Sequence, residues 1–178
     1  SIDKLMGIYF LFIVSYQIFA ITAGLKLTLM IIGVVTIIGA VALAMLQHDF
    51  RKLLSYHAVS QVGYMILGIG TGTAIGIIGG LFHMINHAIY KSCLFFCAGA
   101  VEKQTGITDL EKLGGLGKKM PLLFFANIIA AFAISGIIPL NGFTSKWLVY
   151  QSCVQAHQPI MLILAIFGSA LTLASFVK

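Results

Sequence analysis

From residue 74 to residue 101 the chain stays apolar for longer than the roughly 20 residues a helix needs to cross a bilayer, and Lys91 is the only formal charge within that run. His83, His87 and Lys91 follow one another at intervals of four. On a helix turning about 100° per residue they drift only about 80° from first to last, which makes one polar stripe. In water such a stripe would be ordinary. In lipid, a lysine at mid-depth costs roughly 2.5–3.5 kcal/mol, and several leucines at about −0.5 kcal/mol each are needed to offset it. A chain carrying this stripe must therefore turn it inward, toward the interior of a helical bundle.

The remaining runs show that the bilayer is the right frame. Residues 5–23, 27–46, 57–71 and 159–177 are also apolar, and a fifth run opens at Pro121, is interrupted between Gly136 and Gly142, and resumes through Lys146 to residue 154. Hydrophobic residues make up 60% of the 178 and charged ones 9%, against about 25% charged in soluble domains. The expected fold is all-α: a polytopic membrane bundle of about six transmembrane helices, one of them broken, with no room for a separate soluble domain. The segment 47–56 concentrates charge and is expected at a surface. Residues 102–120 form the one hydrophilic connection, and Gly70-Thr71-Gly72 is a tight turn.

Six spans put alternate loops on opposite sides of the membrane. Arg51, Lys52, Lys103, Lys112, Lys118, Lys119 and Lys178 then share one side and Lys26 has the other, which places the basic side in the cytoplasm. This topology accounts for the net charge of +6 without nucleic acid, for which no basic stripe with interleaved aromatics exists. A multi-pass protein of the inner (cytoplasmic) membrane is expected. The chain opens Ser1-Ile2-Asp3-Lys4 with no signal-peptide zones and reads as a piece of a longer protein.

Lys4, Lys91 and Lys146 remain inside the membrane. Such lysines mark an ion path by default, and the competing reading is snorkelling of the amine to the interface. Asp3 is the one carboxylate placed to pair with them, since Asp49, Glu102, Asp109 and Glu111 fall in loops. Lysines in lipid beside imidazoles, bridged by buried water, have the composition of a proton wire. The break adds a backbone argument. Gly136, Pro139 and Gly142 interrupt helix and free carbonyls and amides, which membranes tolerate where the defect lines a cavity, as in the broken helices of transporters. A plain proline kink is the alternative.

Other chemistries lack their residues. His83 and His87 have the spacing of a zinc-protease helix, but Met84 stands where that signature needs Glu. Cys93 lies about 240° round the helix from His87, which argues against a shared metal site. With Cys97 and Cys153 it is expected to be a buried reduced thiol. Haem ligation by one histidine is the weaker alternative. No phosphate-binding or dinucleotide fingerprint occurs, so no metal and no cofactor are expected.

Four ordered motifs resemble a known family. They are 49–56 (DFRKLLSY) with 60–64 (SQVGY), the His83/His87/Lys91 helix, 109–116 (DLEKLGGL), and 136–147 (GIIPLNGFTSKW). Together they are similar to the antiporter-like subunits shared by respiratory complex I, energy-converting membrane-bound hydrogenases and Mrp-type sodium/proton antiporters. The Asp-Phe-Arg-Lys order departs slightly from the commoner Asp-Leu-Lys-Arg. The resemblance implies two inverted repeats of five helices, with residues 1–24 as the last helix of the first repeat and 27–178 as the second. It also implies that Lys4 is similar to the connecting lysine, His83, His87 and Lys91 to the histidine/lysine helix, and Lys146 to the broken-helix residue near the far half-channel. The glutamate/lysine pair of the first repeat has no counterpart here. Implied partners are the N-terminal half of the same subunit, other membrane subunits and the lipid bilayer. The implied role is a proton-translocating subunit of a redox-driven complex without redox residues of its own, and the alternative is a subunit of a secondary Na⁺/H⁺ antiporter.

Overall fold

A computed structural model describes residues 2–18 and 21–177. The side chain of Asp3 and all of Lys178 lie outside the described residues, and with them Asp3 as an intramembrane partner and Lys178 as a basic-side charge.

The described residues are mostly helical, joined by short connections. Helix α1 (Ile2–Ile13) continues as a π-helical turn, Val14–Ile18, pinned where the Tyr16 hydroxyl donates to Ile69 O at 2.6 Å. Then come α2 (Ala23–Met45), α3 (Phe50–Gly70), α4 (Ala74–Thr105), the short α5 (Leu116–Lys119), α6 (Pro121–Ser135), α7 (Asn141–Gln155) and α8 (Pro159–Val177). By length and composition α2, α4 and α8 can each cross a membrane, while residues 4–18 and 121–135 are shorter apolar helices. With α6 and α7 taken as one interrupted span, this agrees with about six spans.

Polarity is arranged inside out. Lys91 and Lys146 are each 1% exposed, whereas Phe96 is 79% and Leu122 85% exposed. A water-soluble protein does not leave so much large apolar surface open while burying ammonium groups. In lipid the same arrangement is the stable one, and the chain is a multi-pass membrane protein.

Helix α3 begins seven residues earlier than the apolar pattern predicts. Its first two turns are amphipathic. Leu53 and Leu54 are buried, whereas Arg51, Lys52 and Ser55 face outward, and Asp49 caps the end by accepting from Lys52 N at 2.9 Å. A charge-rich string can still be helix when the charges lie on one face. At its far end α4 likewise extends past residue 101, ending at left-handed Gly106 (φ 69°).

Close backbone approach holds the bundle. A Cβ on Gly33 of α2 would lie 2.9 Å from Gly63 O of α3, and one on Gly63 would lie 2.6 Å from Gly33 O. Without a hydrophobic drive between helices in lipid, small residues that let backbones touch are what helix association relies on.

The basic loops meet on one face. Phe50 N donates to Thr108 O at 2.9 Å and Leu110 N to His48 O at 2.8 Å, a bridge pairing Asp49 with Asp109. Arg51 pairs with Glu102, and His48 Nδ1 lies 2.7 Å from Glu111 Oε1. Two charged motifs far apart in sequence thus close over the same end of the bundle, and Arg51, Lys52, Lys103 and Lys112 stand on or beside that end.

Candidate functional site: a buried lysine and histidine array

Where α6 stops, its last carbonyls need partners. Gly136 takes a left-handed turn (φ 84°), and its N–H reaches Phe132 O at 3.0 Å and Ala133 O at 3.1 Å. Lys146 of α7 supplies the rest. Its Nζ donates to Ile134 O at 2.8 Å, to Ser135 O at 3.3 Å and to Ser169 Oγ of α8 at 2.9 Å. Ser169 in turn donates to Ser135 O at 2.8 Å. An ammonium has three N–H donors and meets three acceptors here, at the negative end of a helix dipole and over the Tyr64 ring, 4.7 Å from its centroid. A neutral amine has two donors and would leave one acceptor unmet. The broken helix is therefore a lysine socket.

Each predicted break residue has its own place. Gly136 makes the left-handed turn. Pro139 lies between the two helices and follows a cis peptide bond. Gly142 lies in the first turn of α7, where any Cβ would run into Ala133 O of α6. Next to it, Phe143 and Trp147 stack at 5.9 Å on the outer face of α7, with Trp147 50% exposed.

From Lys146 the polar groups continue toward α4. Ser145, its neighbour in sequence, places Oγ 2.8 Å from His83 Nδ1. The other ring nitrogen of His83 lies 3.1 Å from Gln61 Oε1 and 3.5 Å from the Tyr90 hydroxyl. Both nitrogens thus have an oxygen partner, so a proton can be taken up at one and released at the other. The Tyr90 ring meets His87 edge-on at 5.6 Å. Lys91 donates to Leu54 O on α3 and lies 5.3 Å from the Phe95 centroid. Asn86 and Asn141 clasp α4 to the start of α7, with Asn86 Nδ2 donating to Asn141 O at 3.1 Å.

Lys4 sits apart. Its side chain is exposed on α1, yet it borders a cavity of about 370 Å³ with Ala58, His87, Lys91, Ser92 and Phe96. The structure thus places Lys4, His87 and Lys91 around one space, joins His83 to Ser145 by a direct hydrogen bond, and sets Lys146 at the break.

Four buried polar atoms beside this array, His57 Nδ1, Gln61 Nε2 and both nitrogens of His87, have no hydrogen-bond partner among the described residues. Buried polar groups without protein partners are where ordered water is held.

Sequence reasoning named the lysines, two histidines and the break, and took in Gln61 and Tyr64 only as part of the motif at 60–64. It missed His57, Ser145, Tyr90 and Ser169. The signal for His57 was present: His57, Gln61 and Tyr64 repeat at four and three, a second stripe matching the one on α4. The cysteines do not join the array. Cys93 and Cys97 face α6, 3.8 Å from Ala126 O and 3.9 Å from Leu123 O. Among the described residues no group of three or more His, Cys, Asp or Glu is placed to hold a metal.

Comparison with known proteins follows the same lines. The profile of the family described as NADH:quinone oxidoreductase/Mrp antiporter, TM, matches residues 1–172. Formate hydrogenlyase subunit 3 of Escherichia coli is 39% identical over 71% of this chain and 22% of its own length. A Na⁺/H⁺ antiporter subunit of Alkalihalophilus pseudofirmus is 38% identical over 97% of this chain and 35% of its own. A chain of the archaeal membrane-bound sulfane sulfur reductase, a respiratory membrane complex, superposes with a TM-score of 0.88 at 34% identity, covering 97% of this chain and 30% of that one. The chain thus spans about a third or less of the length of these relatives.

Proposed function

This chain belongs to the membrane family shared by NADH:quinone oxidoreductases and Mrp antiporters, and from that membership we propose that it is one ion-conducting half of a proton-translocating antiporter-like subunit. In this reading residues 1–24 close a first repeat and 27–178 form the second. The remainder of the subunit and further membrane subunits complete a redox-driven complex of the hydrogenase or quinone-reductase type in the inner membrane.

The observation that carries the proposal is the succession of proton-exchanging groups between two buried lysines. Lys4, His87 and Lys91 share a cavity, Tyr90 stands between His87, which its ring meets edge-on, and His83, which its hydroxyl faces, and Ser145 connects His83 to the helix bearing Lys146. Protons would pass Lys4, Lys91/His87, His83 and Lys146, with water bridging the gaps. The break gives Lys146 two states. As an ammonium it satisfies three acceptors of α6 and α8, and after release it leaves one open, ready to draw a proton back. The identity with a Na⁺/H⁺ antiporter component over 97% of the chain favours a second reading, a secondary Na⁺/H⁺ antiporter without a redox partner.

The test is Lys146→Ala in the complete complex reconstituted in vesicles, measuring assembly and ion pumping together. Pumping is lost while the complex still assembles, and full pumping in the variant would overturn the proposal. Neighbouring genes separate the two readings: hydrogenase or quinone-reductase subunits favour the first, a small cluster of membrane subunits alone the second.

A further inference from the structure

His57 is fully buried, and the path above does not use it. Its Nε2 lies 2.6 Å from Ser175 Oγ on α8, its ring stacks on Phe176 at 4.7 Å, and its Nδ1 has no partner among the described residues. Ser175 Oγ also lies 2.8 Å from Thr172 O. A hydroxyl has one hydrogen. When Ser175 gives it to Thr172, Nε2 must donate to Ser175, and the lone pair of Nδ1 is left facing the bundle interior.

Ser175 and Phe176 are also wall residues of a second cavity, about 360 Å³, bordered by Gln47, His48, Glu111 and Asn127. Gln47, His48 and Glu111 belong to the loops of the basic face, so this space lies between that face and the Ser175–His57 pair. Asn127 Oδ1 is likewise buried and unpartnered among the described residues. On its inner side His57 sits three residues along α3 from Leu54, whose carbonyl holds Lys91 Nζ, and four from Gln61, whose amide nitrogen is open. A water between His57 Nδ1, Gln61 Nε2 and Lys91 would find the two or more polar partners such a water needs.

We infer that His57 and Ser175 form a branch connecting the basic face of the membrane directly to Lys91, so that protons reach the middle of the array from that face without passing Lys4. The inference rests on the proton-translocating reading above. In the alternative tautomer, with the hydrogen on Nδ1 and the Ser175 hydroxyl turned from Thr172 to the Nε2 lone pair, a proton arriving in the cavity is accepted by the Ser175 oxygen, which passes its own hydrogen to His57 Nε2. The imidazolium releases Nδ1–H through the water to the Lys91 amine, which leaves the hydrogen on Nε2, the arrangement in which Nε2 donates to Ser175 and Ser175 to Thr172. Rotation of the hydroxyl and tautomer exchange reset the pair.

The test uses the assembled complex in vesicles. His57→Gln keeps a donor near the position of Nε2 but cannot carry a proton, His57→Leu removes both properties, Ser175→Ala removes the hydroxyl, and Ser175→Thr restores it. Pumping is expected to fall about tenfold in the first three and to recover in Ser175→Thr, short of the roughly 10²–10⁴-fold typical of losing a sole proton-transfer group because the Lys4 route stays open. Normal pumping in His57→Gln, with or without a defect in His57→Leu, reduces His57 to packing and overturns the branch, and so does normal pumping in Ser175→Ala. Lys146→Ala is measured alongside. If it alone is silent, only the branch falls, and if it also pumps normally, the central path falls with it.

Discussion

The two buried lysines sit in opposite kinds of surroundings. At Lys146 the amine and the freed carbonyls of α6 complete one another. At Lys91 the amine has one carbonyl of a continuous helix, and four polar atoms of the array's His57, Gln61 and His87 lack protein partners among the described residues. The first region is a dry socket in which the backbone has been broken to receive a cation. The second is a junction with room for water, in which the backbone is intact and the side chains leave space. One fold thus supplies both things the proposed proton path requires, a place to hold charge and a place to let it move, and it supplies them from different structural levels.

Substitutions separate the two regions most clearly through stability. Gly142→Val should have the largest effect, because its Cβ meets the Ala133 carbonyl and the backbone has no room to yield; a loss of about 3 kcal/mol or more is expected, read as failure of the complex to assemble. Lys146→Met keeps the length of the side chain but orphans the Ile134 carbonyl and leaves Ser135 O with Ser169 alone. It should lower stability by about 2–3 kcal/mol in a thermal melt in detergent. His87→Leu should differ, leaving stability within about 1 kcal/mol of wild type while pumping is lost, since no protein group loses a hydrogen-bond partner. If His87→Leu destabilises as Lys146→Met does, the distinction between wet and dry regions fails.

The smallest effect belongs to the basic face, outside both regions. Asp49→Ala removes the cap of α3 and should cost about 1 kcal/mol in the same melt. The Lys52 backbone N–H holds the Asp49 carboxyl below the usual carboxylate range, aided by Thr108. A group whose pKa is depressed by folding adds stability that is complete above its unfolded value and disappears as pH falls through the folded one. The difference between wild type and Asp49→Ala should therefore be constant near neutrality and shrink in acid. A difference that grows in acid would sink this assignment.

Much of this architecture could be read from residue order because lipid leaves few choices. Apolar runs must become helices, ions within them must face inward, and glycine and proline at 136–142 must interrupt the span. The start of α3 escaped because Arg51 and Lys52 lower the mean hydropathy of a segment whose other face, Leu53 and Leu54, is fully packed. The partners of the array escaped for a different reason. Ser145 meets His83 only through the register of α4 against α7, which Gly79 and the Asn86–Asn141 clasp determine by contact and no local pattern encodes. His57 was hidden by dilution, its stripe being shared with Ser60 and Gly63 and carrying no formal charge.

The stack of Phe143 on Trp147 has a practical consequence. Trp147 is the only tryptophan in the chain, adjacent to Lys146 and half open on the outer surface of α7. Tryptophan emission from the isolated chain therefore comes from a single indole about two turns past the break. Quenching by lipids brominated at successive acyl positions would turn that indole into a depth gauge, reporting how far below the headgroups the socket lies and whether α7 shifts when the lysine changes charge.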